Sequence, residues 1–600
     1  MRRKISTKTN DLRACAERSE KHGGFRSHNL IFDTHTGFRC AYFYMVLPVD
    51  IRRIAKLRGE AMRRLVRGRA GSGKTWFALE QAAQAAVEGR DAVLVVPEQF
   101  TFEMERALLQ AVGPAACLHV EVLSFSRMAQ RVFGLCGGAA GRAIDDCGRV
   151  LVMSMAAKQV ADLLHVYHRQ ADSPAFAKAM VDAVAELKHC GVDPQTLAAA
   201  GGQMDDDALS GKLADLSLLL QTYDALCSRL FSDDLDDIAR LAEKLEDCPF
   251  FKGKTVVIDA FKGFTAPQKR VLGHIFRQSD DVYVTLCADR LEDAEQGLGL
   301  FSPVQKTAGE LLRLARKLDV EAAKPVRLGA PHRFAAPELA ALEERVFRPE
   351  AEPFADAAPA LQIVSAGNLY EEAQFVAREI ARLVQTGSAR YGEMVVISRG
   401  LPVYNGILDP VCKKYGIPLF LDARRDVAAH PLMAFVSGAL ELLAGNYRQE
   451  AVLRYLKTGL AGLSTVEIAQ MENYLYTWNL QGRAVWQAEW TDHPDGFGNA
   501  AQPDDARLCR LNELRLRVLE PVERLAAALE RADGSGQTRA LYAFLIEMQV
   551  ERQMAEACAR FARSGEQELE DEYRQVWDKL IGLLEQMAAV LGERAVPVPE

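Results

Sequence analysis

No run of about 18 apolar residues occurs in this 600-residue chain, so nothing in it reads as a membrane span. Its twelve cysteines are scattered without a single C-x-x-C pair. Zinc and cluster sites are built on paired thiolates, so the spacing excludes them and leaves the cysteine usage of a reducing cytoplasm, mostly small core residues. Gly (43) and Pro (23) are not in excess, and 49% hydrophobic with 26% charged residues excludes disordered, collagenous and coiled-coil classes. At roughly 150 residues per domain the length corresponds to about four domains. Positive charge is scarce where it would matter for coating nucleic acid: residues 1–61 hold 13 Lys/Arg against 6 Asp/Glu, so the overall −8 becomes −15 over the other 539 residues. Phosphate coating needs clustered cations; a narrow groove lined by a few of them does not.

Residues 1–61 carry no sustained hydrophobic period. The apolar stretch Tyr42–Leu47, closed by Pro48, is shorter than the about 7–15 residues of a secretory core. The segment reads as an extension outside the fold with Met62 as the natural start, the alternative being a basic tail that binds nucleic acid.

Regular structure then opens on GRAGSGKT, which fits G-x-x-x-x-G-K-[ST]. Gly68, Arg69, Ala70, Gly71, Ser72 and Gly73 form the loop whose backbone N–H groups would cradle phosphates. Lys74 would meet the β and γ phosphates, and the Thr75 hydroxyl would ligate Mg²⁺. The motif requires a strand before it (Arg64–Val66) and a helix after it (Trp76–Glu88), whose N-terminal dipole adds to the anion site. Strands at Ala92–Val96 and Val120–Leu123, each feeding a helix, continue a doubly wound α/β sheet. In KTVVIDAF the β-branched run Val256–Ile258 ends on Asp259, a carboxylate placed to reach Mg²⁺ through water. Motor ATPases carry Glu at the next position to polarise the attacking water; Ala260 stands there, which predicts nucleotide binding without effective hydrolysis.

Residues 145–247 read as a helical insertion, with His165 and His168 on one helix and the acidic clusters Asp205–Asp207 and Asp233–Asp237 as solvated loops or helix starts rather than metal sites. A linker at 346–360 precedes a second alternating region, in which LQIVSA, EMVVISRG and IPLFLD are predicted strands around a helix in NLYEEAQFVAREIARLVQTG and another over Tyr404–Tyr415. Arg399, at the end of the Val395–Ile397 strand, sits where a second domain would offer an arginine to nucleotide. The rest, to residue 600, reads as mostly helical. Trp478, Trp486 and Trp490, near Arg454, Lys457 and Arg483, fit a core better than a base-stacking surface.

GRAGSGKT, VPEQFTFEMERALL, VEVLSFSRMAQRVF, VVIDAFKGFTAPQKRVL, EEAQFVAREIARLV with RYGEMVVISRG, IPLFLDARRDVAAHPL, and LRYLKTGLAGL followed by MENYLY, in this order and spacing, resemble the AddB family, one of the two chains of bacterial AddAB helicase-nucleases. The resemblance implies two tandem RecA-like domains of the superfamily-one helicase type, each with helical insertions: 62–345 and, incomplete at its C-terminal end, 361–600. It implies ATP and Mg²⁺ as ligands and an AddA-like helicase/nuclease subunit as heterodimeric partner. It also implies a cytoplasmic complex that acts on double-stranded DNA ends and single strand, resecting breaks for homologous recombination until Chi is met. The helicase-like half of AddB proteins is an inactive motor. The family's DNA-touching motif maps onto Ser124 and Phe125, its phosphate loop onto Gly68–Thr75 and its second-domain arginine onto Arg399.

One departure stands out. The family's C-terminal nuclease site and its four-cysteine 4Fe-4S cluster have no counterpart in the sequence, which ends in VPVPE, so the chain reads as the front of a longer protein. An autonomous helicase and a phosphate-loop enzyme not acting on DNA remain as alternatives.

Overall fold

The computed structural model describes residues 63–138, 141–421, 427–497 and 506–597, with the backbone alone at 114–116. Residues 1–62, and with them the extension, Met62, Cys15 and Cys40, lie outside the described residues. Two compact units are present: one comprises 63–362 with 427–597, the other 363–421.

The larger unit is built on six parallel strands in the order β3-β2-β4-β5-β1-β6. They are β1 (Arg63–Gly68), β2 (Ala92–Val95), β3 (Val120–Leu123), β4 (Thr255–Ile258), β5 (Asp281–Cys287) and β6 (Val326–Arg327). β1 is longer than Arg64–Val66. It begins on Arg63, whose buried guanidinium donates to the carbonyls of Phe276, Ser279 and Asp280 and so closes the end of the helix beneath it. Between the strands run α1 (Lys74–Val87), α2 (Thr101–Cys117, broken at Gly113) and α3 (Phe125–Cys136). The insertion supplies α4 (Asp146–Gln159), α5 (Pro174–Cys190), α6 (Pro194–Gly201), α7 (Asp207–Leu230) and α8 (Asp234–Asp247); α9 (Ala266–Gln278), α10 (Ser302–Lys317) and α11 (Pro337–Arg345) follow.

A strand covered on both faces must be apolar throughout, and β2 and β4 are buried at every position. Leu94 and Val257 face the alanines of α1 (Ala78, Ala82, Ala85, Ala86), while Val93, Val95, Val256 and Ile258 face α3, α9 and α10. Each such side chain contributes about 1.5–3 kcal/mol of burial.

The acidic clusters begin helices: Asp206 caps α7 and Asp233 caps α8. Asp233, however, is buried rather than solvated. Its carboxylate accepts from Arg149 Nε (3.1 Å) and Tyr223 Oη (2.9 Å) and lies 3.8 Å from Lys188 Nζ. Lys188 also pairs with Asp224 (2.9 Å) and Asp236 (2.8 Å), and Arg149 with Asp146 (2.7 Å) and Asp234. Burial pushes the Tyr223 phenol up, and the Asp233 charge pushes it further.

His165 and His168 do not share a helix. α4 ends at Gln159, and the carboxylate of Asp215 accepts from the backbone N–H groups of His165, Val166 and Tyr167 (2.8, 2.8 and 3.1 Å), drawing that segment into turns. The cysteines also depart from a uniform core role: Cys136 and Cys248 are disulfide-bonded, while Cys147, Cys190 and Cys509 are exposed.

In the smaller unit α12 (Leu369–Gln385) forms as predicted, but Tyr404–Tyr415 does not form one helix. Gly406, at φ +73°, separates a 3₁₀ turn, Leu401–Tyr404, from α13 (Leu408–Lys414). The predicted strands are not strands here. Residues 361–366, 394–399 and 417–421 have no ladder partner, and their apolar side chains are open to solvent: Ile363 fully, Val395 at 74% and Ile397 at 85%.

From residue 427 the larger unit is helical, as expected: α14 (Pro431–Ala444), α15 (Gln449–Leu456), α16 (Thr465–Trp478), α17 (Arg483–Gln487), α18 (Ala506–Arg531), α19 (Gly534–Glu547), α20 (Val550–Ser564) and α21 (Gln567–Leu591). Trp486 and Trp490 are core, and Trp478 packs against that core. The nearby cations are spoken for by acids, Arg454 by Glu441, Lys457 by Glu472 (2.6 Å) and Arg483 by Glu523 (2.6 Å). α21 reaches back to the insertion: Gln586 Oε1 accepts from Asp145 N (3.3 Å), and Val590 joins the cluster of Ile144, Val152 and Tyr223. No helix among the described residues is long and apolar enough to cross a membrane.

The start of α14 is pH-sensitive. His430, buried against Tyr573 (4.4 Å between rings), caps the helix through Nδ1, which accepts from Leu432 N (3.2 Å). Burial holds its pKa below 6.5, with Glu572 opposing weakly, and a proton on Nδ1 would break the cap. The unfolded chain therefore takes up this proton first as pH falls. The stability is complete above about 6.5 and is lost as pH drops toward the lowered folded value. His430→Asn, which keeps an acceptor that does not titrate, should flatten that part of the melting-temperature-against-pH curve; an unchanged slope would count against it.

Candidate nucleotide site

The phosphate loop leaves the C-terminal end of β1, where open α/β sheets place their ligands. Gly71 (φ +75°) and Gly73 (φ +84°) take left-handed conformations that turn the chain from strand into α1. Ser72 N donates to Arg69 O (3.3 Å) and Phe77 N to Gly73 O (2.9 Å), so the loop runs straight into the helix. Lys74 Nζ folds back onto Arg69 O at 2.8 Å. Ala70 and Thr75 are half-buried on the same turn.

Asp259 lies at the same sheet edge, one strand away: β5 separates β1 from β4, with Val66 opposite Thr285 and Ile258 opposite Val284. Thr285 Oγ1 donates to Asp259 Oδ1, while Asp259 Oδ2 and Ser72 Oγ are buried with no hydrogen-bond partner. A buried carboxylate oxygen left open is costly, about 1–3 kcal/mol or more, unless something occupies the space it faces. Glycines at positive φ, a cation and unpaired oxygens make a donor set suited to a polyphosphate with a hard divalent cation. Ala260 follows at φ +67°, a left-handed conformation rare for a side chain with a Cβ and a sign of local constraint beside the site.

Ser124 and Phe125 are held differently from an exposed DNA-reading pair. Ser124 Oγ caps α3 by accepting from Arg127 N (3.1 Å), and Phe125 is buried edge-on to Phe261 and Phe264 (5.6 and 6.4 Å). Arg399 belongs to the 363–421 unit, where it is exposed.

Residues unmarked by any motif also gather at the loop. Thr285 is one, a hydroxyl in the otherwise apolar end of DVYVTLC. Others are Phe301, His332, Arg333, Phe334 and Glu343, which meet the loop only through tertiary folding.

Comparison with known proteins agrees with this geometry. Residues 65–343, the span from β1 to α11, match the family described as ADDB, N-terminal. The chain belongs to the AddB family. It is 31% identical over 547 residues to the AddB-type chain of the ATP-dependent helicase/deoxyribonuclease of Thermoanaerobacter sp. (strain X514), an alignment covering 89% of this chain and 47% of that protein. The Symbiobacterium thermophilum protein of the same description is 33% identical over 559 residues (89% and 48%), and that of Clostridium novyi 29% over 543 (90% and 47%). The chain thus spans about half the length of the curated AddB relatives it matches. Among the described residues no group of three or more His, Cys, Asp or Glu could hold a metal ion, so the cysteines in view do not fit an iron-sulfur cluster.

Proposed function

We propose that this chain is the nucleotide-binding, DNA-engaging front of an AddB protein. In this reading it works with an AddA-like helicase/nuclease partner on double-strand breaks in homologous recombination, contributes to Chi recognition and does not itself drive translocation. The observation that carries the nucleotide part is the pair of unsatisfied buried oxygens, Ser72 Oγ and Asp259 Oδ2, at the sheet edge that bears the Gly68–Thr75 loop. ATP phosphates would lie against the loop N–H groups and Lys74, with Mg²⁺ held by Thr75 and, through water, by Asp259. The bound cation would supply charge neutralisation for the phosphates. Ala260 provides no carboxylate to orient a water, which supports the inactive-motor reading. The turn at Ser124 and Phe125 would meet DNA by its backbone, since both side chains are committed inward.

The fold of the 363–421 unit is part of the same proposal. Its extended segments carry exposed β-branched residues between α12 and α13, the pattern of strands whose sheet partners are missing, and we take them as strands of a second RecA-like domain. The part of the relatives' length that the chain does not span is the proposed source of those partners.

The test is turnover. Mg²⁺-ATP should bind saturably in calorimetry, and single- or double-stranded DNA should produce no motor-like ATP hydrolysis by this chain. DNA-stimulated turnover of many ATP per second would overturn the inactive-motor reading and favour an autonomous helicase.

A further inference from the structure

We propose that Arg69 and Glu343 form a nucleotide-responsive latch that passes occupancy of the phosphate loop to α11 and to the segment leading out of the larger unit. The proposal rests on the reading that the loop binds nucleotide.

The latch begins at the sheet edge. β6 pairs with β1 in parallel, and Leu328 N donates to Arg67 O (2.9 Å), so the chain leaves the sheet alongside the loop. Residues 329–334 then strap across it: His332 N and Arg333 N both donate to Gly71 O (2.8 and 3.3 Å). The fit is close, since a Cβ on Gly71 would come within 2.9 Å of Arg333 Cβ and 3.1 Å of the Phe334 ring.

Arg69 joins the loop to α11 at both ends of its own structure. Its guanidinium Nε meets the two carboxylate oxygens of Glu343 at 3.1 and 3.2 Å, Nη2 donates to Glu343 O at 2.6 Å, and its face lies 5.2 Å over Phe301. Its carbonyl holds Lys74 Nζ. The cation that phosphates would claim is thus held by the residue that grips α11. Drawing Lys74 onto phosphate frees the Arg69 carbonyl and lets that peptide turn, which loosens the grip on Glu343. α11 in turn holds the following segment, because Glu338 Oε1 accepts from Ala360 N (2.9 Å) and Arg345 Nη1 donates to Glu352 O (3.1 Å). Residue 363, where the smaller unit begins, is three positions beyond Ala360.

Coupling of this kind is reciprocal: if nucleotide weakens the latch, breaking the latch strengthens nucleotide binding. In the whole chain, Glu343→Gln should tighten Mg²⁺-ATP about three- to tenfold by calorimetry, the range of a modest coupling. Saturating Mg²⁺-ATP should speed hydrogen exchange over 329–345 in the wild type but add little in the variant, with exchange over β2 and β4 serving as the check that the sheet is intact. Unchanged affinity in Glu343→Gln, or unchanged exchange over 329–345 in a sample that calorimetry shows saturated, overturns the latch while leaving the nucleotide site standing. No binding of Mg²⁺-ATP by the wild type overturns both.

Discussion

Asp233→Ala should destabilise the helical insertion by about 3–5 kcal/mol, the range for removing one partner from a buried charge cluster. The reason is the number of groups that depend on one carboxylate. Arg149 and Lys188 are both mostly buried and would lose a counter-charge, Tyr223 would lose its hydrogen-bond acceptor, and α8 would lose the cap at Leu235 N. Asp233→Asn keeps an acceptor for the cap and discards only the charge, so it should fall between Ala and wild type. Hydrogen exchange over α4, α7 and α8 reads the change locally, without requiring the whole chain to unfold in one step. A loss below about 1 kcal/mol, the value of an exposed ion pair, would mean that the cluster is a solvated face after all.

Lys74→Ala should weaken Mg²⁺-ATP by about 30- to 150-fold, the equivalent of about 2–3 kcal/mol for losing charge-assisted hydrogen bonds to phosphate. The fold should tolerate the change, because Lys74 is half-buried and its hydrogen bond goes to a loop carbonyl. The measurement is titration calorimetry beside a thermal melt. Affinity within threefold of wild type, with an unaltered melt, would sink the phosphate-loop reading.

The parts of the molecule that were legible in the sequence are those with local causes. Val256–Ile258 and Ala92–Val95 announce buried parallel strands because both faces are covered, and Asp206 and Asp233 announce helix starts because a short carboxylate satisfies N–H groups two or three residues on. The loop from Gly68 to Thr75 is legible for the same reason, its conformation being set by its own glycines. What the sequence hides is whatever depends on distant chain. The depth of Asp233 follows from Arg149 and Lys188, on other helices. The turns at His165–Tyr167 follow from Asp215, about fifty residues later. Glu343 meets Arg69 across 274 positions, and no periodicity records it. The segments around Ile363, Val395 and Ile397 show the converse: strand-like composition is a local property, but a strand exists only where another pairs with it.

The contact of Gln586 with Asp145 spans 441 residues, and Val590 completes the packing around Ile144 and Val152. On a ribosome adding about 5–20 residues per second, the insertion would wait roughly 20–90 seconds for the helix that covers it. During that interval Ile144 and Val152 lack their final cover, so the newly made insertion is the part of this protein with the greatest need of a chaperone.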